Sequence, residues 1–524
     1  MTGAPVSSDG TPAGLMEAFW EYDRALLAND VTALDARFTD ADTTLRGDGT
    51  ATLVGHAAIA RFRASRSTVP TRTVQLVHVR VIDPTAALVV AEVASRTGAA
   101  GLQTQLWRRR DDAWTIDAAH VTAPQQPIDR SVWRIVGTPL VAPTGSGALD
   151  GETVAVKDLF AVEGQRIGAG VPEFAASAPP EATTAPAVGV LLSHGAEVTG
   201  IAQTDQFAYS IAGTNSRYGT PDNVAAPGRI PGGSTSGPSV AVARGWASIG
   251  LGTDTAGSIR VPAAHQGLWG IRTTHGIVDR SGVLALAPSF DTVGWITRDV
   301  ETLARVADVL VPETATGDSS GTTAPQLVIV DTLTDLASTG VRDAFIATAD
   351  ALGAVSVPLT CGDGTPVTAA LLEEWFHAFR TVQAFEAWSV HGDWIDAHPG
   401  ALDADVAGRF ADASAISRAE HDAARTIIDA ARSTIRSFLS GRILLLPSTA
   451  APAAALDASP EQIDHDRGGT LRLTCLASIA GVPAVSAPLD SVDGLPSGVC
   501  FIGAPNTDVA LIASTRRLTD RLGP

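Results

Sequence analysis

One segment, IPGGSTSGPSVAVARGWASIGLGTDTAGSIRVP at residues 230–262, constrains the fold of this chain more than any other. A glycine-serine loop, GGSTSG, precedes a run of small residues typical of a closely packed helix, and the apolar strand ASIGLG follows. A second loop, TDTAGS, then leads into another predicted helix. This order predicts an α/β domain in which two hydroxyl-bearing loops lie on one side of a sheet.

The α/β pattern extends over residues 151–524. Apolar runs such as PQLVIVDT and RILLLPST alternate there with helical segments such as APAVGVLLSHGAEVTGIAQ, and no internal repeat is evident. Residues 126–150 are rich in Pro, Gly and Ser, and we interpret them as a linker that includes an entry strand. The length of the 151–524 segment is sufficient for a large buried core.

Residues 1–125 have a different organisation. Their apolar periodicity predicts helices at 15–30, 31–38 and 55–66, followed by strands at 72–82, 85–97, 101–110 and 113–123. Helices followed by a run of antiparallel strands predict a small α+β domain, with a curved sheet wrapped over the helices.

A single lysine, Lys157 in VAVKDLF, stands among 37 basic residues. The other 36 are arginines, so this position needs a property that arginine lacks. An amine can lose its proton when it is buried, whereas a guanidinium stays protonated. To be neutral near pH 7 to 8, a lysine pKa must fall about two to three units below its usual value near 10.4. Burial beside Val154, Val156 and Leu159 could supply that shift.

The second loop ends at Ser258, next to a predicted helix N-terminus. Unpaired backbone N–H groups and the helix dipole favour negative charge at such a position. An oxyanion hole has these properties, and each of its donors lowers a barrier by about 3 kcal/mol. Simple turns or a phosphate cradle are the alternatives, but the segment lacks the GK[ST] ending of a P-loop and a strand-borne GxGxxG.

Several motifs together resemble the amidase signature family of serine hydrolases. GGSTSG and GTDTAGSIRVP are similar to its central motif, Ser234 and Ser258 have the family's spacing of 24 residues, and VAVKDLF resembles its lysine strand. Further matches are SRYGTPDN, GLWGIRTTHG, SFDTVGW, LLLPST, LASIAGVPAVSAPL and FIGAP, so that the resemblance covers about residues 150–520. It implies an α/β amidase signature fold, a central mixed sheet flanked by helices.

The resemblance also implies a Ser, cis-Ser, Lys triad. Ser258 would attack the amide carbonyl, and Ser234 would relay the proton to neutral Lys157. The implied oxyanion donors are the backbone N–H groups of four residues: Thr255, Ala256, Gly257 and Ser258. At position 256 the family more often has glycine, so a positive φ there would strain the alanine by about 1–2 kcal/mol. The hydroxyl of Thr235 is assigned a structural role.

Candidates for substrate binding are Arg260, Trp375 and Arg380. Arg260 has two interpretations, since it could brace the loop by pairing with Asp254 or meet a substrate carboxylate. The aromatic residues around Trp375 and Arg380 have helical spacing, which is typical of a core but also of a specificity pocket in this family. His265 and His275 are interpreted as core or pocket groups, because the Gly-x-Ser-x-Gly elbow of a Ser-His-Asp hydrolase is absent around Ser258.

The N-terminal segment resembles AtzH-like domains of the SnoaL-like, cone-fold superfamily. The residues that carry this resemblance are FWEYDRALLANDVTALDARF, TLRGDG and QTQLWRRRDDAWTIDAAHV. It implies that the mouth of a cone is lined by four residues: Tyr22, Arg46, Trp107 and His120. Arg46 suits an anionic group. A non-catalytic role in oligomerisation or regulation is the alternative, and the pairing of cone-fold domains suggests a homodimer.

Charge and composition restrict the partners. A formal net charge of −19 disfavours nucleic acid as a partner. No apolar run reaches the roughly 18–20 residues that span a bilayer. The first residues lack the pattern of a secretory signal. We therefore expect a cytoplasmic protein. Cys361, Cys475 and Cys500 lack metal-type spacing and are expected to be inert thiols, and no metal or organic cofactor is implied.

The resulting functional hypothesis is an amidohydrolase. It would cleave a C–N bond of a small carboxamide or ureido compound to a carboxylate and ammonia through an acyl-enzyme, with the N-terminal domain assisting or adding a second step. Two alternatives stay open: a glutamine-dependent amidotransferase subunit, and an inactive amidase-like scaffold. The presence of Lys157, Ser234 and Ser258 weighs against the scaffold.

Overall fold

A computed structural model describes residues 6–7, 10–47, 52–65, 72–95, 100–121, 128–312 and 324–522 of the chain. The chain forms two compact units, Met1–Ile128 and Asp129–Pro524. The first unit is small and the second carries most of the chain. In the part of the chain that is described, no helix is both long and apolar enough to cross a bilayer.

The first unit combines three helices with a sheet of seven strands in its described residues. Its elements, in chain order, are β1 (Val6–Ser7), α1 (Leu15–Ala28), α2 (Val31–Asp35), β2 (Leu45–Gly47), β3 (Thr52–Val54), α3 (His56–Ser65), β4 (Arg72–Asp83), β5 (Ala86–Ser95), β6 (Ala100–Arg110) and β7 (Ala113–Val121). The strand order in the sheet is β1-β4-β5-β6-β7-β2-β3.

The apolar faces of the helices account for the core of this unit. Leu15, Phe19 and Tyr22 repeat along one face of α1, and they are buried together with Trp107 and Ile116 of the sheet. The small α+β domain is confirmed, and the predicted helices and four long strands are present. The strands β1, β2 and β3 were not predicted. The cone shape stays a prediction, and residues 66, 96–97 and 122–123 of the predicted elements lie outside the described residues.

The second unit is built on a mixed sheet of eleven strands with helices packed around it. Its elements are β8 (Trp133–Val141), β9 (Thr153–Lys157), α4 (Pro172–Ser177), α5 (Pro186–Ser193), β10 (Glu197–Ala202), α6 (Ser236–Ala243), β11 (Ile249–Asp254), α7 (Arg260–His265), β12 (Trp269–Arg272), β13 (Thr292–Thr297), α8 (Val300–Leu310), β14 (Gln326–Ile329), α9 (Asp331–Thr334), α10 (Thr339–Ala351), β15 (Val355–Ser356), α11 (Ala369–Ala397), α12 (Ala404–Ser414), α13 (Arg418–Phe438), β16 (Arg442–Pro447), α14 (Pro460–Ala480), β17 (Ala484–Val492), β18 (Leu495–Ile502) and α15 (Asp508–Thr519).

The strand order of this sheet is β15-β14-β16-β18-β17-β12-β13-β11-β9-β10-β8. A mixed central sheet flanked by helices is the predicted architecture, and it is confirmed. Within the segment 126–150, which we interpreted as a linker with an entry strand, Trp133–Val141 forms the edge strand β8 and pairs with β10. The first two residues of that segment lie outside the described residues.

The centre of the sheet fixes where the two loops meet. β9 and β11 are parallel neighbours, with Val154 opposite Ile249 and Val156 opposite Leu251. Because the carboxyl ends of parallel strands lie at one edge of a sheet, Lys157 at the end of β9 lies beside the loop that follows β11. All residues of β11 are buried, as its apolar sequence requires. The predicted order of loop, helix, strand, loop and helix over 230–262 is present as α6, β11 and α7.

Candidate active site

Lys157 is fully buried at the edge of the sheet and donates hydrogen bonds to three hydroxyl groups. Its Nζ lies 2.9 Å from Ser234 Oγ, 3.1 Å from Thr235 Oγ1 and 2.9 Å from Thr253 Oγ1. The peptide bond between Gly233 and Ser234 is cis. Hydroxyl groups accept these bonds without adding a charge, so no carboxylate directly compensates the ammonium form of the lysine.

The electrostatics of this pocket favour the neutral amine. Burial lowers the pKa of Lys157 to about 7, against the opposing effect of Asp205, Asp254 and Asp291. A group at this pKa is half deprotonated near neutral pH and can accept a proton. This value agrees with the shift that the sequence argument required of an amine at this position.

Asp254 organises the loop that carries Ser258. Its carboxylate accepts hydrogen bonds from the backbone N–H groups of Gly257 at 2.9 Å and Ile259 at 3.2 Å. It also pairs with Arg260 at 2.8 Å and with Arg272 at 3.2 Å, and all three side chains are fully buried. Although burial opposes it, these arginines hold the pKa of Asp254 well below its usual range. The carboxylate therefore stays ionised and holds the turn in place.

These contacts settle the two interpretations of Arg260. Its Nε and Nη2 donate to Asp254, and its Nη1 donates to the carbonyl oxygen of Thr474 at 3.0 Å. The side chain is fully buried. The assignment of Arg260 to substrate binding is thus wrong, because its guanidinium is taken up by the loop it braces.

The predicted oxyanion donors divide into two groups. The N–H of Gly257 is directed to Asp254, so it is not available to a substrate, and its inclusion in the prediction is wrong. The amides of Thr255, Ala256 and Ser258 have no acceptor among the described residues. The positive φ of this turn, 118°, belongs to Gly257 and not to Ala256. Alanine at position 256 therefore introduces no left-handed strain.

Sequence reasoning missed the hydroxyls and carboxylates that surround the lysine. Thr253 and Thr235 both contact Lys157, although Thr235 was assigned only a structural role. Asp291 accepts a hydrogen bond from Thr255 Oγ1 at 2.6 Å, and Asp205 accepts from Ser236 Oγ at 3.2 Å. Thr253 could have been found, because it opens the loop TDTAGS directly after the predicted strand ASIGLG.

Ser258 opens onto a cavity. Thr255, Ala256 and Ser258 form one side of its lining, and Arg380 is part of another. A larger cavity of about 480 Å³ adjoins it and shares Ala208, Thr255 and Leu286 in its lining. Ser258 thus lines a small cavity next to a space large enough for a small molecule.

The two helical candidates for substrate binding differ in position. Both lie on α11, but Arg380 lines the cavity and Trp375 is buried in the hydrophobic core. The assignment of Trp375 to substrate binding is therefore wrong, since its side chain serves packing. The cavity also contains Arg409 and Arg467, which the sequence did not single out.

Two histidines and two cysteines of this unit lie outside the cavity at Ser258. Burial lowers the pKa of His265 to about 4, and the ring of His275 bonds the carbonyl oxygen of Pro288 at 2.9 Å. Burial raises the pKa of Cys475 to about 12 and that of Cys500 to about 11. None of these four groups lines the cavity at Ser258.

The first unit has its own buried polar cluster. Tyr22, Arg46 and Trp107 are all at most 3% exposed. Arg63 donates to the Tyr22 hydroxyl at 2.8 Å, and although burial opposes them, Arg63 and Arg46 lower the pKa of this phenol. Nε and Nη1 of Arg46 have no hydrogen-bond partner in the described residues. A buried guanidinium with unused donors is suited to an anion.

His120 does not belong to this cluster. β2 and β7 pair so that Arg46 lies opposite Ala119 and Gly47 lies opposite His120. Side chains alternate between the two faces of a sheet, so Arg46 and His120 point to opposite faces, and His120 is exposed. Its predicted place in the pocket is wrong. Gln103 and Gln105 are buried on β6 instead, where their spacing of two residues from one another and from Trp107 was a signal that could have been used.

Comparisons with known proteins agree with both resemblances. The Amidase family model matches residues 142–382, and the AtzH-like model matches residues 6–127. Amidase 1 of Oryza sativa subsp. japonica is 31% identical, over 71% of this chain and 91% of its own length. A glutamyl-tRNA(Gln) amidotransferase subunit of Natronomonas pharaonis is 37% identical over 39% of this chain and 52% of its own length. A crystal structure of an amidase has a TM-score of 0.66 and 27% identity, covering 75% of this chain and 93% of the other.

Proposed function

This chain belongs to the amidase family, with an AtzH-like domain at its N-terminus, and on that premise we propose that Ser258 hydrolyses the C–N bond of a small carboxamide or ureido compound. One observation carries the mechanism. The only lysine of the chain is buried, has a pKa of about 7 and has its Nζ 2.9 Å from Ser234 Oγ, so that the neutral amine can accept a hydrogen bond from that hydroxyl. This is the arrangement that a general base for a serine hydroxyl requires.

In the first half of the reaction the Oγ of Ser258 attacks the amide carbon. Its proton passes to Ser234, and the proton of Ser234 passes to the neutral amine of Lys157. A hydrogen bond of 3.3 Å from the Thr235 amide to the Ser258 carbonyl joins the two loops, which supports a direct relay between the serines. The amides of Thr255, Ala256 and Ser258 stabilise the negative charge on the carbonyl oxygen.

Collapse of the tetrahedral intermediate breaks the C–N bond. The proton returns from Lys157 through Ser234 to the leaving nitrogen, so ammonia departs and an acyl ester remains on Ser258. Water then attacks the ester carbon and gives a proton through Ser234 to Lys157. Collapse of this second intermediate breaks the bond between the acyl carbon and Ser258 Oγ, and Lys157 returns the proton through Ser234 to that oxygen. The products are a carboxylate and ammonia, and the enzyme regains its starting protonation state.

The test is pH-dependent labelling with a neutral fluorophosphonate, followed by peptide mapping. We expect one adduct at Ser258, with a labelling rate that rises with pH through about 7, because deprotonation of Lys157 is required. Lys157→Arg should lose labelling while it stays folded, since arginine cannot give up its proton. Normal labelling of this variant would contradict Lys157 as the base and would mean that another group activates Ser258.

We also propose that the N-terminal unit binds a small carboxylate-bearing compound through Arg46, in support of the amidase reaction or a second step. The unused donors of this buried guanidinium support the idea. Calorimetric titration of malonate into the full chain should give a site that Arg46→Gln abolishes and that Arg61→Gln, a change at an exposed arginine, leaves intact. Equal binding to both variants would contradict this role for Arg46.

A further inference from the structure

The cavity at Ser258 has three arginines in its lining. Arg380, Arg409 and Arg467 all contribute to its lining together with Ser258. They come from three different helices, α11, α12 and α14. No acidic side chain is among the described residues that line it. We call these three arginines the cationic wall of the cavity.

The three guanidinium groups are close enough to influence one another. Burial, and then the nearby Arg409 and Arg380, lower the pKa of Arg467 to about 10. The same three arginines act on the phenol of Tyr209, which lines this cavity, although burial dominates and raises its pKa. Mutual repulsion among like charges is unfavourable, and an anion between them would relieve it.

The acidic side chains that pair with these arginines are exposed to solvent and do not line the cavity. Arg409 pairs with Asp405 at 2.8 Å, but the Asp405 side chain is 65% exposed. Arg467 lies 3.9 Å from Asp464, whose side chain is 76% exposed. Arg380 forms no ion pair with a described residue and lies over the Phe376 ring at 6.0 Å. Exposed pairs are weak because solvent screens them.

Hydrogen-bond donors within the wall are also unused. Nε of Arg409 and Nε of Arg467 are buried and have no acceptor among the described residues. A buried donor without an acceptor is unfavourable, and a carboxylate presents two oxygens in the geometry that guanidinium groups bind best. The cavity is small, about 30 Å³, but it adjoins the cavity of about 480 Å³, so a ligand held by the arginines can extend into that larger space.

We propose that the substrate of Ser258 carries a carboxylate, separated by a short spacer from the amide that is cleaved, and that Arg380, Arg409 and Arg467 bind this carboxylate. The inference rests on the proposed amidase function and specifies its substrate class. An anion fixed at the helical wall would direct the amide carbon at the other end of a compact molecule towards Ser258. Neutral amides of the same size would lack this anchor.

A matched pair of amides tests the inference. Succinamate and 4-oxopentanamide have nearly the same shape, but only succinamate ends in a carboxylate. Each is used as a substrate and as a competitor that protects Ser258 from the neutral fluorophosphonate, a readout confined to this site. We expect kcat/KM and protection to favour succinamate by about 10- to 100-fold, the effect of one charged hydrogen-bonded group.

Substitution of each arginine tests which of them produces the preference for succinamate over 4-oxopentanamide. Arg409→Gln and Arg467→Gln should each reduce the ratio of the two kcat/KM values about tenfold or more, and Arg380→Gln should reduce it less because Arg380 is exposed. Arg418→Gln is the matched control for Arg380→Gln. Arg418 is also exposed and stacks on a phenylalanine, Phe385, at 5.6 Å, but it lies outside the cavity. The control should keep the wild-type ratio.

The outcomes separate the two proposals. If Ser258 is labelled but succinamate and 4-oxopentanamide protect it equally, the carboxylate anchor is wrong while the amidase function stands. If a preference exists and the arginine variants retain it, the anchor is elsewhere and this assignment is overturned. If the fluorophosphonate does not label Ser258 at all, the amidase proposal fails, and the substrate class falls with it.

Discussion

Two basic side chains of this protein, Lys157 in the larger unit and Arg46 in the smaller one, are both buried, but they differ in how many of their nitrogens have hydrogen-bond partners. Lys157 donates to three hydroxyl groups and is half neutral near pH 7, so its own surroundings satisfy it. Two nitrogens of the Arg46 guanidinium, Nε and Nη1, have no partner among the described residues. A buried amine whose hydrogen bonds are made within the protein can act as a base, whereas a buried guanidinium with unused donors can bind an anion.

Arginines within the larger unit also differ in whether their nitrogens have hydrogen-bond partners. Arg260 has partners for all of its nitrogens and holds the catalytic loop. Arg409 and Arg467 retain unused donors beside Ser258. Residue type is the same in both cases, so the distribution of partners separates a structural arginine from one that is available to a ligand.

The largest expected effect concerns the relay through Ser234. Ser234→Ala should lower kcat/KM on an amide substrate by about 10²–10⁴-fold, because the proton path to Lys157 is interrupted. Ser236→Ala is the control, since that hydroxyl contacts Asp205 and not the lysine. Steady-state kinetics at pH 8 measure both. A fall of less than tenfold for Ser234→Ala would show that the relay is dispensable.

Stability measurements compare Arg260, which has partners for all of its nitrogens, with Arg46, whose Nε and Nη1 have none among the described residues. Arg260→Met should destabilise the fold by about 3–5 kcal/mol, because it leaves the buried Asp254 with one arginine fewer. Arg46→Met should change the free energy of unfolding by at most about 1 kcal/mol, since no described carboxylate loses its partner. Urea denaturation of the full chain measures both. Equal losses would mean that both arginines are structural.

The pH dependence of Ser258 labelling reports on Lys157 directly. The folded pKa of this base is lowered to about 7, so the neutral form that catalysis needs is populated above pH 7 and lost below it. The labelling rate should fall about tenfold for each pH unit below about 6 and level off above about 8. Arg46→Gln should leave this profile unchanged. A midpoint near 10 would show that the lysine is not desolvated in solution.

The smallest expected effect is that of one hydroxyl at the lysine. Thr253→Val removes an acceptor that favours the ammonium form, so the pKa of Lys157 should fall further, by about one unit or less. The midpoint of the labelling profile would then move to lower pH. A move to higher pH would mean that the threonine acts on the neutral amine instead.

The sequence predicted those features that local patterns encode. The order of elements over 230–262 was correct, because glycine-rich loops and a fully apolar strand are strong local signals. The pairing of Lys157 with Ser234 was expected from the motif resemblance, and the structure places the two side chains 2.9 Å apart, whereas the role of Ser258 as the nucleophile stays a prediction. His120 was assigned to the wrong face, since the register of β2 against β7 is a tertiary property.

The parts that failed depend on contacts between distant segments. Arg409 and Arg467 come from helices far along the chain from Ser258, and nothing local marks them as pocket residues. The N–H of Gly257 looked like an oxyanion donor until its acceptor, the side chain of Asp254, was known. Trp375 and Arg380 share a helix and differ only in the face they occupy, which helical spacing alone did not resolve.

The buried lysine has a consequence for protein chemistry at the bench. It is the only ε-amine of the chain, and its side chain is inaccessible in the folded state. Acylating reagents that modify surface lysines therefore find no ε-amine on a folded molecule and one on an unfolded molecule. Mass spectrometry of a single peptide, the one that contains residue 157, would then count the unfolded fraction of a sample.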